Sequence, residues 1–296
     1  MKNILLPAAL LLLMLSGCSG QVPQFDQDRA YAVLEKQCSF GPRYPGSEGH
    51  KKCLDYLYTE MKKYATSVVK QPFHFTDPRT GKQHLLHNVI ASFGTQGDRI
   101  LLGAHWDTRP IADFDPDPAK RDTPIMGAND GASGVAVLLE IARIMKENPP
   151  PVGVDIVLFD GEDSGVQGND ATWCAGSRYF AQNKQPSYQP RFGILLDMVG
   201  DRDLHLPVER NSNMYAPELV DRVWTIAENL GIPVFDRALG PEMVDDHLEL
   251  IKVGIPAIDI IDFDYPYWHT VEDTKDKTSA ESLGYVGPVV LHVVYE

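Results

Sequence analysis

Cysteine is scarce in this sequence, four residues in 296, and none of the four has the spacing of a zinc ribbon. Basic residues are also short, 27 Lys+Arg against 41 Asp+Glu, and they form no cluster. A phosphate-binding surface therefore lacks its electrostatic footprint, and nucleic acid is excluded as a partner. Internal repeats and low-complexity tracts are absent, which rules out an array, and no linker interrupts residues 26–296, so the chain reads as one large domain. A long apolar run is missing too, apart from Ile4 to Leu15, which is too short for a comfortable bilayer span.

That run has a different reading. Lys2 supplies a positive start, and Leu15-Ser16-Gly17-Cys18 closes the run with small residues at a cleavage position. The pattern resembles a bacterial lipobox, which makes residues 1–17 a signal peptide, Cys18 the lipidated anchor and residues 18–25 a tether. The expected location is the bacterial cell envelope, held to the membrane through Cys18. Of the remaining cysteines, Cys38 and Cys53 lie near each other across an expected helix-loop-helix. A disulfide between them with Cys174 free, and three buried thiols, stand as alternatives.

Two helical patterns open the mature chain, Asp26 to Gln37 and Ser47 to Lys63, separated by Phe40-Gly41-Pro42-Arg43-Tyr44-Pro45-Gly46. Val68 to Phe75 and Leu85 to Phe93 then read as a strand hairpin. From Ile100 onward, short apolar runs alternate with helical ones: strands at Ile100 to Ala104, Val154 to Phe159, Gly193 to Leu196, Pro233 to Phe235 and Pro256 to Ile261. Helices are expected at Ala132 to Lys146, Gly176 to Gln182, Pro217 to Leu230, Asp246 to Lys252 and Ser279 to Val294, the last opened by a Thr278/Glu281 capping box. This alternation predicts an α/β fold, a mixed, mostly parallel central sheet sandwiched by helices, with the hairpin on one edge.

Polar residues gather just past the ends of these strands. His105 and Asp107 follow one, Asp160, Glu162 and Asp163 another, Asp197 a third, and His269 the last. In an open α/β sheet that edge is where ligands bind. Asp130 comes from Gly127-Ala128-Asn129-Asp130-Gly131, directly before a helix. Each has an ordinary reading when taken alone: Asp130 as a helix N-cap, His269 as a loop histidine, Glu162-Asp163 as a solvated acidic turn, Asp245-Asp246-His247 as helix-capping groups. Their coincidence points elsewhere. Two carboxylates and an imidazole converging on one sheet edge are the protein ligands of an open catalytic zinc site, and the neighbour of a ligand on the same turn is free to carry a proton.

Taken together, His105-Trp106-Asp107, Asn129-Asp130-Gly131, Gly161-Glu162-Asp163, Leu196-Asp197-Met198 and Trp268-His269-Thr270 resemble, in order, the motifs of the zinc aminopeptidase family with a phosphorylase/hydrolase-like fold. In its peptidases two zincs are bound and the Asp of Asn-Asp-Gly bridges them. In its glutaminyl cyclases one zinc is bound, through the positions matching Asp130, Asp163 and His269. Asp245-Asp246-His247, where many peptidases have Ser-Asp-His, and Trp268 directly before His269 are similar to the cyclases.

The resemblance thus implies a glutaminyl-peptide cyclotransferase acting on peptide or protein N-termini, with a di-zinc aminopeptidase as the alternative. It implies that Glu162 shuttles the proton and that Asp197 and Asp245 form a carboxylate pair. Trp268 and Trp173 would wall the substrate slot, and His105 would stand behind the ligands or bind a second metal. The segments Asp201 to Glu209 and Arg109 to Met126 depart from the cyclase pattern.

Overall fold

A computed structural model describes residues 22–94 and 97–296; the expected signal peptide and lipidated Cys18 lie outside the described residues. Two helices come first, α1 (Gln27–Cys38), capped by Asp26, and α2 (Glu48–Tyr64), capped by Ser47. The hairpin β1 (Ser67–Thr76) and β2 (Gln83–Phe93) follows. Next come β3 (Arg99–His105), α3 (Ser133–Glu147), β4 (Gly153–Phe159), α4 (Ala175–Asn183) and β5 (Gly193–Asp197). The chain then forms β6 (Leu206–Val208), α5 (Arg210–Tyr215), α6 (Pro217–Asn229), β7 (Phe235–Leu239), α7 (Asp246–Lys252), β8 (Ala257–Ile261) and α8 (Ala280–Tyr295).

The main sheet runs β1-β2-β4-β3-β5-β8. Its four central and far strands are parallel, and the hairpin pairs antiparallel on the β4 side. Successive side chains point to opposite faces of a strand, and here both faces are covered. Ile100, Leu102, Ile156, Leu158, Ile194 and Leu196 join the larger core under α1, α3 and α8. Leu101, Val157, Leu195 and Ala257 join a second core with Phe180 of α4 and Leu250 of α7. Burial on both faces is why these strands read as unbroken apolar runs rather than as alternating ones.

Several local expectations change. The last helix is capped by Ser279, whose side chain accepts the Ser282 N–H, because Thr278 spends its hydroxyl on the Lys275 carbonyl in the preceding turn. The strand expected at Pro233 to Phe235 is β7, shifted forward; beyond Phe235 its residues are exposed and carry no apolar period. β6 and α5 are additions, and β6 lies within the segment Asp201 to Glu209 that departs from the cyclase pattern. Cys38, Cys53 and Cys174 are all buried free thiols, so the disulfide alternative falls. Burial pushes Cys38 and Cys53 up to about 11 and about 12, which keeps both inert at neutral pH. Phe25, assigned to the tether, is buried, and its ring fills the space that a Cβ on Gly287 of α8 would occupy.

Arg43, from the loop between α1 and α2, is wholly buried without a carboxylate partner. Its guanidinium donates to three carbonyls, Trp106 (3.1 Å), Met126 (2.9 Å) and Gly127 (2.7 Å), and so ties the chain after β3 to the loop that leads into Asp130. Replacing it by Met strips the donors from three buried acceptors. Arg43→Met is expected to cost on the order of 4 kcal/mol, a fall in Tm of about 10 °C by calorimetry.

Candidate metal and catalytic site

His105 ends β3 and Asp197 ends β5, while Glu162 and Asp163 stand on the turn just beyond β4. Parallel strands bring these ends to one edge, and Asp130, Asp245, Trp173, Trp268 and His269 complete the walls of a cleft of about 200 Å³ there. That is smaller than most ligand pockets. Asp160 leaves the group, since its carboxylate turns away to His50 Nε2 (2.8 Å) and the His87 N–H (2.7 Å).

Asp130 is not a cap. The N-cap of α3 is Ala132, with no side-chain bond, and Asp130 enters the cleft. Its loop is held from behind by Asp273, which accepts the N–H groups of Asn129 (2.8 Å) and Asp130 (3.2 Å) and the Tyr265 hydroxyl. Gly131 has φ +95°, and a Cβ there would meet the Asp107 carbonyl at 2.3 Å, so only glycine permits this approach. Asp107 in turn accepts the N–H groups of Glu162 (3.1 Å) and Asp163 (3.3 Å) and fixes their turn.

Single ligand atoms of Asp130, Asp163 and His269 lie within 4.8 Å of one another. His269 Nε2 is 3.1 Å from Asp163 Oδ1 and 3.7 Å from Asp130 Oδ2. Both Asp163 oxygens are buried and accept no hydrogen bond. Two carboxylates and an imidazole with unspent donor atoms, converging in a buried place, fit a zinc ion. Asp130 also belongs to a second set with His105 and Asp197, where His105 Nε2 lies 3.1 Å from Asp130 and 3.0 Å from Asp197.

Glu162 has a separate environment. Burial, opposed by His105 but reinforced by Asp245, Asp163 and Asp246, raises its carboxyl well above the usual carboxylate range. Burial likewise pushes Asp197 up to about 7 against the pull of His105. A carboxyl so perturbed, lining a cleft beside a metal site, suits general acid–base work. Asp197 bonds to His105 Nε2 (3.0 Å), and the Asp245 charge adds to the rise of the Asp197 carboxyl. Asp245 is also the N-cap of α7, accepting the Asp246 N–H, so the capping role and the cleft role coexist.

His269 sits between two indoles. Trp268 stacks on it at 3.7 Å and Trp173 at 5.9 Å with an interplanar angle of 8°. Four further residues serve the site without having been singled out in the sequence. Asp113 grips the Arg109 guanidinium through both oxygens (2.9 and 2.6 Å) and lies 3.5 Å from His269 Nδ1. Arg109, wholly buried, donates to the carbonyls of Asp163 and Gly165 and lies under the Trp173 ring at 4.5 Å. Cys174 places its thiol 3.5 Å from Glu162 Oε1, and Asp259 is wholly buried on β8, where burial and the Asp245 charge raise its carboxyl well above the usual range. Only Asp259, a charge inside the apolar run Ala257-Ile258-Asp259-Ile260-Ile261, carried a sequence signal.

Backbone geometry marks the same place. Cys174 (φ 57°), Met198 (φ 49°) and His269 (φ 54°) are the non-glycine residues with left-handed backbone among the described residues, and all three border the cleft. Such residues cost about 1–3 kcal/mol each and concentrate at functional sites.

The peptidase family M28 profile matches residues 88–294, well over half of the chain. The chain belongs to peptidase family M28. Among solved M28-fold structures it is similar to a Tannerella forsythia glutaminyl cyclase, at 42% identity over 93% of this chain and 99% of that one, TM-score 0.89. It is also similar to a leucine aminopeptidase precursor from Bacteroides thetaiotaomicron, at 40% identity over 93% and 99%, TM-score 0.91. A curated relative, the glutaminyl-peptide cyclotransferase of Drosophila melanogaster, is 24% identical over 78% of this chain and 70% of its own length.

Asp113 gives this M28 site a direct test. Asp113→Asn is expected to weaken zinc binding about 10–100-fold in a chelator-competition titration, because His269 loses the carboxylate behind its ring.

Proposed function

We propose that this M28 protein is a zinc-dependent glutaminyl-peptide cyclotransferase, converting the N-terminal glutamine of a peptide or protein to pyroglutamate with release of ammonia. The observation that carries it is the Asp245 carboxylate in the cleft, with a ligand atom within 4.8 Å of one on Glu162, in a slot closed by Trp268. The similarity to solved glutaminyl cyclases supports the same reading.

Asp130, Asp163 and His269 would hold one zinc, which when bound supplies Lewis acidity at the substrate's side-chain carbonyl oxygen. The chain's own residues do the rest. In cyclisation the α-amine nitrogen bonds to the side-chain amide carbon, the C–N bond to the departing group breaks, and one proton passes between the two nitrogens. Glu162 takes that proton from the amine and returns it to the leaving ammonia, so no water enters the bond-making step. Asp245 steadies Glu162 from the opposite wall. Trp268 and Trp173 enclose a small side chain and exclude water from it.

The second triad, His105, Asp130 and Asp197, favours one competing reading, a di-zinc aminopeptidase that hydrolyses peptides. Lipid anchoring through Cys18 at the bacterial cell envelope belongs to the same proposal and rests on the Leu15-Ser16-Gly17-Cys18 sequence alone. No helix of the described residues is long and apolar enough to cross a membrane.

Side-by-side assay of N-terminal glutamine and leucine peptides decides the chemistry. Pyroglutamate is expected; leucine release without pyroglutamate would sink the cyclase reading. Glu162→Gln should lower kcat about 10²–10⁴-fold with zinc content unchanged, and Asp245→Ser should lower it about 10²-fold or more, again with zinc retained. Cys18→Ser should move the protein from the membrane fraction to the soluble one on ultracentrifugation.

A further inference from the structure

The sheet edge opposite the cleft carries a second cavity, of about 580 Å³. The parallel strands start there, so Ile100 of β3 and Phe192, directly before β5, line it, and α8 ends beside it with Val293 to Glu296. Two guanidinium groups, Arg191 and Arg222, share this space. Arg222 donates to the Val293 carbonyl (3.1 Å) and lies over the Phe192 ring at 5.7 Å. Neither arginine forms an ion pair among the described residues, because Asp221 in the same wall is taken by Arg237 (2.9 Å) and Glu296 stays out of reach. Burial and the Arg191 charge pull the Arg222 guanidinium below its ordinary value, against the opposing charge of Glu296. In a chain with 41 acidic and 27 basic side chains, two cations left together without a counter-ion mark an anion site.

The walls set the chemistry of the occupant. Neighbouring guanidinium groups suit the several oxygens of a phosphate, and Ile100, Phe192 and Val293 offer apolar surface to whatever the phosphate carries. The course of the N-terminal chain says where such a group comes from. Gln27 packs on Gly284 of α8 and Phe25 on Gly287, each filling the place of a Cβ there. Followed back towards Cys18, the chain therefore advances along α8 towards the end that borders the cavity. Val22 still packs on the core that α8 covers. Cys18 precedes it by four residues, at most about 14 Å of chain. An acylated Cys18 brings the bilayer to the cavity's side of the molecule, where an anionic surface attracts arginine.

We infer that the cavity shared by Arg191 and Arg222 binds the phosphate headgroup of an anionic phospholipid, as a second hold on the membrane beside the lipid on Cys18. The inference rests on the anchoring reading, which supplies the bilayer. A second hold fixes orientation where one leaves the body free to turn. It sets this edge of the sheet against lipid and leaves the cleft, at the opposite edge, uncovered.

The test uses the mature chain, residues 18–296, carrying Cys18→Ser so that no acyl chain contributes, sedimented with vesicles of phosphatidylglycerol or of phosphatidylcholine. Binding to phosphatidylglycerol is expected, with little to phosphatidylcholine, and it should fall as salt is raised. Arg191→Gln with Arg222→Gln should weaken it about 30-fold, with bound zinc unchanged. Should that pair not fold, Arg191→Gln alone is the second variant, since its exposed side chain makes no hydrogen bond among the described residues; a loss of about fivefold is expected. Equal binding to the two lipids, no binding to phosphatidylglycerol, or undiminished binding by a folded variant would overturn the inference. So would glycerol phosphate binding as tightly in a calorimetric titration, which would make the ligand a soluble one. The anchoring reading fails separately. Wild-type protein recovered in the soluble fraction would remove it and this inference together, whereas wild type in the membrane fraction without a headgroup preference in the vesicle assay overturns this inference alone.

Discussion

The site is built around a surplus of buried negative charge. Asp107, Asp130, Glu162, Asp163, Asp245, Asp246, Asp259 and Asp273 are all buried at or behind one sheet edge. Isolated carboxylates in such a place cost several kcal/mol each unless charge, hydrogen bonds or protons compensate them. The surrounding architecture reads as a set of compensations. Arg109, His105, His269 and His247 supply cationic or proton-bearing groups, and backbone N–H groups serve Asp107 and Asp273. What remains unspent is the pair of oxygens on Asp163 and the space between Asp130, Asp163 and His269. A divalent cation completes that balance, which makes metal binding and local stability one problem rather than two.

Specific backbone holds this charge in place. The turn after β4 is fixed by Asp107, the Asp130 loop by Asp273 and Arg43, and the His269 ring by Asp113 and two indoles. His269, Met198 and Cys174 accept left-handed backbone in return. Apart from Trp268, each support comes from a segment distant in sequence from the residue it positions, so the cleft depends on the closed fold rather than on any one loop.

This division explains what the sequence could reveal. The parallel strands were legible because burial on both faces leaves apolar runs, and strand ends then point to His105, Glu162, Asp163 and Asp197 as neighbours. Asp130 and His269 were legible only in company, first by converging with the strand-end carboxylates and then through the ordered resemblance, since an Asp before a helix and a loop His carry no signal of their own. The supports were largely hidden. Asp113 and Arg109 lie in a loop without period, and Cys174 reads as a free or buried thiol; their contacts with Glu162, Asp163 and His269 span 12 to 156 residues that no local pattern encodes. The exposed half of β7 was missed for the same reason, having no apolar face to announce it.

Phe25 carries one more consequence. Because its ring is locked against Gly287 of α8, Phe25 belongs to the folded body. With Cys18 acylated as proposed, the residues between that lipid and Phe25 can span no more than about 25 Å when fully extended. The folded body is then leashed to within its own diameter of the bilayer. Under that proposal its substrates would be chain ends that arrive at the membrane surface, and encounter would become a two-dimensional search rather than a three-dimensional one.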